Sequence, residues 1–262
     1  MSADGSRYYP ADVPPSVAGS EWPPAPARCA PAPHDIHLYR FALDVPASVL
    51  PALVRWLTPD ELARAGRFRF ARDAARYSAG RAALRSIVGG CIGQRPERVP
   101  LVYGANGKPA LAGDAPVRFN LSRSSALGLL AVQLGDDVGV DVEEVRPFPD
   151  GLDIARSLFA SEEFHALSAT PEPERTTAFF RFWTRKEAVI KSLGLGLSRP
   201  LNDFSVVPAD LNAACTVSMP TPGKLVTCTL LPVPDPKPGY VAALATAGAI
   251  RPLRCWSWQP AA

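Results

Sequence analysis

Residues 35–43 alternate in the manner of a strand, with Ile36 and Leu38 expected inward and Phe41 a further inward candidate. A short helix is predicted over residues 48–56. Thr58 opens a second helix, with Pro59 at its first position and Asp60 and Glu61 in its first turn. The longest helix of this half is expected over residues 73–92. Ala74, Tyr77, Ala82, Leu84 and Ile87 supply its apolar positions, Arg76 and Arg81 stand between them, and Gly89 and Gly90 weaken its end. Residues 99–103 predict a strand running into a glycine-bounded turn at 104–107. Residues 117–121 are apolar and lead into a turn at Ser122, Arg123 and Ser124. Residues 127–134 suit a buried strand or a buried helix, and Asp136 and Asp137 turn the chain. Residues 138–144 then alternate strictly: Val140 and Val142 face a core, while Asp141 and Glu143 share the opposite face.

The second half repeats the order of helices followed by strands. Helical patterns cover residues 152–159 and restart at Ser161, and a long helix opens at Pro173 or Glu174. Within it Glu187 and Lys191 stand four apart and so share a face, with Trp183 a turn earlier and Ala188 and Ile190 suited to a core. Gly194 and Gly196 end it, because glycine tolerates a left-handed cap. Residues 204–207, 225–231, 240–245 and 253–258 read as antiparallel strands. The repeated order suggests two similar lobes meeting near residues 135–147. The expected division is a Pro/Ala-rich extension without a packed core at 1–33, one lobe at 34–140 and a second at 141–262.

Composition narrows the class. The chain has 262 residues and a net charge of +3, and it contains no apolar run of the roughly 18–20 residues needed to span a bilayer. No basic-then-apolar leader precedes the first strand, so a cytoplasmic protein that avoids membranes is expected. The five cysteines are scattered and form no CxxC, as reduced thiols would, and three histidines without HExxH argue against a zinc enzyme. Charge is unevenly spread: residues 55–85 hold eight arginines and three acids, which suits either a polyanionic partner or a solvated helical face. Only five lysines accompany 23 arginines, and two of them, Lys186 and Lys191, lie in the stretch around Glu187. Lysine can give up its proton where arginine in practice cannot.

Asp141 and Glu143 form an oxygen-only pair among valines, and two such carboxylates repel unless a proton or a cation lies between them. Hard oxygen ligands select Mg²⁺ or Mn²⁺, and Glu187 is the candidate third carboxylate. The alternative is that both are solvent-facing residues of a half-buried strand.

Two spaced motifs carry a resemblance. Residues 138–143 (VGVDVE) and 182–191 (FWTRKEAVIK), some forty residues apart, together resemble the 4'-phosphopantetheinyl transferases of the larger, monomeric type. Gly107-Lys108-Pro109, residues 119–124 (FNLSRS) and residues 194–197 followed by Phe204 extend the likeness, which covers about residues 35–207. The resemblance implies an α+β fold: a pseudo-twofold pair of lobes, each a small antiparallel sheet packed with helices, with coenzyme A and Mg²⁺ (or Mn²⁺) in the cleft between them. It implies transfer of the phosphopantetheine arm of coenzyme A to a serine of an apo carrier protein of fatty-acid, polyketide or peptide synthesis, releasing adenosine 3',5'-bisphosphate. Asp141, Glu143 and Glu187 become metal ligands, and Glu187 also a candidate acceptor of the serine proton. Lys191 stabilises the pyrophosphate leaving group, with Lys186 assisting. Arg64, Arg67, Arg76, Lys108, Asn120, Ser122 and Arg123 bind phosphates of coenzyme A.

The chain departs from the family pattern at Arg123, where a histidine is usual, and at Tyr77 and Glu61. Arginine keeps its charge and can hold a phosphate through two parallel hydrogen bonds, so phosphate binding is expected to persist with a changed pH dependence. Competing readings are a coenzyme A-binding regulator and a nucleic-acid-binding module built on the arginines of residues 55–85. Phe148, in a proline-flanked segment after the acidic strand, either packs on a carrier or closes the lobe interface.

Overall fold

The structure, a computed structural model, describes residues 22–26, 31–104, 107–194, 199–207, 214–221, 224–234 and 236–260. In chain order they form β1 (Ile36–Ala42), α1 (Leu50–Val54), α2 (Pro59–Ala65), α3 (Ala71–Ile92), β2 (Leu101–Tyr103), β3 (Pro109–Leu111), β4 (Val117–Ser124), β5 (Leu127–Leu134) and β6 (Val138–Glu144). There follow α4 (Gly151–Leu158), α5 (Ser161–Ala169), α6 (Glu172–Leu193), β7 (Cys215–Thr221), β8 (Lys224–Pro232), β9 (Tyr240–Thr246) and β10 (Leu253–Ser257).

The architecture is α+β. One four-stranded sheet runs β10-β1-β5-β4, a second runs β6-β9-β8-β7, and β2 and β3 form a hairpin. Each large sheet packs against a helix of 22 residues, α3 or α6. Both helices end on a left-handed glycine, Gly93 (φ 67°) and Gly194 (φ 66°), whose backbone L-side chains resist. Gly196 lies outside the described residues, as do residues 105–106 of the expected turn. The two halves thus repeat one plan. A third core joins them: Ile36, Leu38, Leu129 and Ala131 of the first sheet meet Val138, Val140, Val142 and Leu244 of the second. Such a shared core, burying whole aliphatic side chains worth about 1.5–3 kcal/mol each, fixes the sheets relative to one another.

Local signals explain most elements. Thr58 accepts a hydrogen bond from Glu61 N while the Glu61 carboxylate accepts one from Thr58 N, a capping box that starts α2 behind Pro59. Strand β5 is buried on both faces, which is why its run lacks alternation.

Four expectations are corrected. Ser122, Arg123 and Ser124 do not turn; they continue β4, and the chain turns at Ser125, whose φ is 49°. Residues 204–207 join no sheet. Lys186 donates to the carbonyls of Leu201 and Phe204, and Glu163 accepts from Val206 N, so side chains satisfy the backbone that a ladder would have used. Strand β10 pairs parallel with β1 and so belongs to the first sheet, not among antiparallel strands of the second lobe. The proline-rich start is also packed at its end: Trp22 is buried in the shared core, and residues 23–25 bond Ser257 at the edge of β10. Strand β7 is an element that the residue pattern did not announce.

Candidate active site

Strand β6 carries the site because its two faces are used differently. Val138, Val140 and Val142 are fully buried in the shared core, and Gly139, Asp141 and Glu143 face the other way, toward α6. Gly139 has no side chain, and the backbone of α6 occupies the space. A Cβ there would lie 2.1 Å from Ala188 O and 2.3 Å from Ser192 N. This approach brings the last turns of α6, with Glu187 and Lys191, down beside Asp141.

Lys191 Nζ stands 2.6 Å from Asp141 Oδ1 and donates also to Ser122 Oγ at 3.3 Å. Ser122 Oγ donates to the same Asp141 oxygen at 2.7 Å. One residue pair along, Ser124 Oγ donates to Glu143 Oε2 at 2.6 Å and accepts from Glu144 N at 3.1 Å. Asn120 Oδ1 accepts from Val140 N at 2.9 Å. Three alternate positions of β4 therefore stitch it to β6 across the junction of the sheets.

Two buried oxygens remain without a hydrogen-bond partner among the described residues, Asp141 Oδ2 and Glu187 Oε1, in residues only 3% and 7% exposed. Burial raises the pKa of Asp141, opposed by Lys191 and Ser122. It raises that of Glu187, opposed by Lys191 and reinforced by Asp141 and Glu143, and that of Glu143, opposed by Ser124. Leaving buried carboxylate oxygens unpaired is costly, so an all-oxygen cluster of this kind has chemical room for a hard cation or a proton. Among the described residues no three His, Cys, Asp or Glu side chains are already gathered around a single point.

The other expected site residues divide. Arg123 lies on β4 between the two serines, its guanidinium 5.5 Å from the Tyr77 ring, and Arg64 lies 5.7 Å from the same ring. With Phe68, Asp73, Arg76 and Tyr77, Arg123 lines a cavity of about 210 Å³. Arg76 gives two hydrogen bonds to Asp44, at 2.6 and 2.8 Å, and Arg67 is exposed on the turn after α2. Lys108 is occupied: it donates to Lys191 O (2.7 Å) and Val138 O (3.3 Å), capping α6 and tying it to β6, and burial depresses its pKa. It also lines a cavity of about 450 Å³ with Arg118, Phe119 and Asp137. Asn120 spends its carbonyl oxygen on β6.

Lys186 does not join the cluster. Fully buried, its ammonium pairs with Glu163 at 2.8 Å and donates to two backbone carbonyls, so its role is to hold α6 to α5 and residues 201–204. Burial is the chief cause of its lowered pKa. Glu61 is likewise structural, buried between Arg85 (2.7 Å) and Arg81 (2.9 Å). Arg76, Arg81 and Arg85 are thus tied to carboxylates, which shortens the basic run that a nucleic-acid reading needs. Phe148 packs on Phe179 (5.0 Å between centroids) and Phe180 (5.7 Å) in the core of the second half, rather than closing the interface between the lobes. Ser124 and its bond to Glu143 were not foreseen; the alternation Asn120, Ser122, Ser124 against Asp141, Glu143 was the available signal.

Residues 137–244 match the 4'-phosphopantetheinyl transferase superfamily, and residues 46–134 match the N-terminal domain described for a 4'-phosphopantetheinyl transferase. The chain is 36% identical over 247 residues to 4'-phosphopantetheinyl transferase HetI of Nostoc sp., spanning 91% of this chain and 96% of that protein. It is 29% identical over 192 residues to 4'-phosphopantetheinyl transferase Sfp of Bacillus subtilis, covering 73% and 83%. With 4'-phosphopantetheinyl transferase AcpT of Salmonella typhimurium it shares 33% over 138 residues, covering 50% and 72%.

Proposed function

The chain belongs to the 4'-phosphopantetheinyl transferase superfamily, and from that premise we propose that it moves the phosphopantetheine arm of coenzyme A onto a serine of an apo carrier protein. The serine oxygen forms a bond to the β-phosphorus of the diphosphate, the bond to the bridging oxygen breaks, and adenosine 3',5'-bisphosphate leaves. The observation that carries this reading is the cluster of buried Asp141, Ser122 and Glu187 with partly exposed Lys191, and its two unpartnered oxygens.

Transfer of this kind depends mostly on positioning and charge stabilisation. Lys191 holds a positive charge at the cluster, where charge develops on the bridging oxygen that departs with adenosine 3',5'-bisphosphate. Glu187, its pKa raised by burial, is the group to take the serine proton. Ser122 and Ser124 fix the carboxylates on β6, and the cavity beside Arg76 and Arg123 accepts phosphates, Arg76 leaving Asp44 to do so. The donor set fits Mg²⁺, or Mn²⁺, which Asp141, Glu143 and Glu187 would hold and which supplies neutralisation of diphosphate charge. Among the described residues no helix is long and apolar enough to cross a membrane. The reading extends to a cytoplasmic monomer whose lobes, 34–140 and 141–262 in the main, close the site between them. It serves carriers of fatty-acid, polyketide or peptide synthesis.

Intact-protein mass spectrometry of apo carriers incubated with the protein, coenzyme A and Mg²⁺ tests this. One phosphopantetheinyl increment, absent in excess chelator, is expected. Unchanged carriers under all conditions would contradict the reading.

A further inference from the structure

The turn between α2 and α3 exposes apolar and cationic side chains together. Residues 62–72 hold four arginines and no acid. In the same stretch Leu62, Phe68 and Phe70 are 41%, 40% and 57% exposed. Scattered exposed apolar residues need no explanation, but here Phe68 and Phe70 alternate along the chain with Arg67 and Arg69. Phe70 also occupies the N-cap of α3, where its side chain makes no capping bond. That position favours Ser, Thr, Asp or Asn, whose oxygen satisfies an amide of the first turn. Phe70 therefore serves neither the core nor the helix start. The Arg69 guanidinium lies 5.3 Å from its ring.

This surface borders the cavity of Arg76 and Arg123. The Phe68 ring stands 5.4 Å from Tyr77, and Tyr77 stands 5.5 Å from Arg123, whose side chain faces α3 from the side of β4 opposite to Ser122 and Ser124; Phe68, Tyr77 and Arg123 line that cavity together. We propose that residues 66–72 form the docking surface for the protein substrate. The occupant is a carrier with an acidic face, whose apolar side chains cover Phe68 and Phe70 and whose carboxylates pair with Arg69 and with Arg72, the latter in competition with its exposed 3.4 Å contact to Asp73. The argument rests on charge complementarity. Arg81 and Arg85 would prolong the basic track for a phosphate backbone, but the buried Glu61 holds both. What remains is a short cationic and aromatic patch. The proposal rests on the transferase reading above.

Phe70→Ser tests it, because serine suits an N-cap and the variant is expected to fold with an equal or higher Tm. The KM for an acidic carrier should rise about tenfold, with kcat and the KM for coenzyme A unchanged, as when binding to one substrate alone is lost. Arg69→Ala with Arg72→Ala should flatten the salt dependence of the carrier KM. An unchanged carrier KM with a higher Tm would reduce Phe70 to an uncapped helix start and overturn the proposal. So would a raised KM for coenzyme A, or binding of single-stranded DNA that Phe70→Ser abolishes. Wild-type transfer decides the transferase reading separately. If the wild type transfers nothing, direct binding of the apo carrier decides docking: about tenfold weaker for Phe70→Ser supports it, and equal affinity refutes it.

Discussion

Gly139→Ala probes the contact that places Lys191 beside Asp141. The added Cβ would sit 2.1 Å from Ala188 O and 2.3 Å from Ser192 N, and ordinary contact begins at 3.4 Å, so α6 must retreat by about 1.3 Å. Both obstacles are backbone atoms, and no side chain can rotate away. Overpacking of this kind costs about 1–3 kcal/mol. At about 2–4 °C per kcal/mol for a chain of this size, Tm should fall by about 2–12 °C. The same retreat opens the 2.6 Å Lys191–Asp141 contact past hydrogen-bonding distance. A displacement of 1 Å at a reacting centre costs about a hundredfold in rate. Calorimetry gives the first quantity, and intact-mass transfer rates at saturating coenzyme A and carrier give the second. A Tm and a kcat both equal to wild type would refute the packing argument. A lowered Tm with wild-type kcat would refute the link between the glycine and the site.

Other predictions follow from burial and charge. Glu61→Ala leaves Arg85 and Arg81 buried without their partner and should cost about 3–5 kcal/mol in denaturant unfolding, while the KM for carrier stays put; a loss under 1 kcal/mol would refute it. Phe148→Ala removes a partly buried ring from the Phe179–Phe180 cluster and should lower stability by about 2–3 kcal/mol with both KM values unchanged. A raised carrier KM without loss of stability would instead return Phe148 to a docking role. Burial lowers the pKa of His37, so the folded state binds its proton less readily than the unfolded chain. The stability it contributes is present above pH 6.5 and is lost as pH falls below that value through the folded pKa. Asp44 and Glu61, whose pKa values are lowered, lose theirs only in the carboxylate range near pH 4 and below. His37→Gln should therefore flatten the decline of Tm between about pH 7 and 5; an unchanged slope would remove His37 from that window.

The sequence made the acidic strand readable because one face of β6 is buried among valines and the other is not, so alternation marks both. The start of α2 was equally plain, since a capping box is written in four neighbouring residues. Lys186 misled because its neighbour Glu187 belongs to the site. A helix turns about 100° per residue, so adjacent residues cannot share a target. Spacing alone separates Lys186 from the Glu187–Lys191 face, and Glu163 claims it. The parallel pairing of β10 with β1 joins residues more than two hundred positions apart, and no local pattern encodes it. The seam between β4 and β6 lay between these extremes. Its serines read as a turn because Ser and Asn favour turns, yet their period of two was that of a strand facing Asp141 and Glu143.

Asp141→Asn reaches the central claim most directly. Asparagine keeps the volume and can still accept from Ser122 and Lys191, so the fold should hold, while the charge and the second acidic oxygen are lost. With coenzyme A, Mg²⁺ and an apo carrier that the wild type converts fully, intact-mass spectra of the carrier treated with the folded variant should show no phosphopantetheinyl increment in the same time. Conversion at the wild-type rate would contradict the assignment of the transfer site to this cluster.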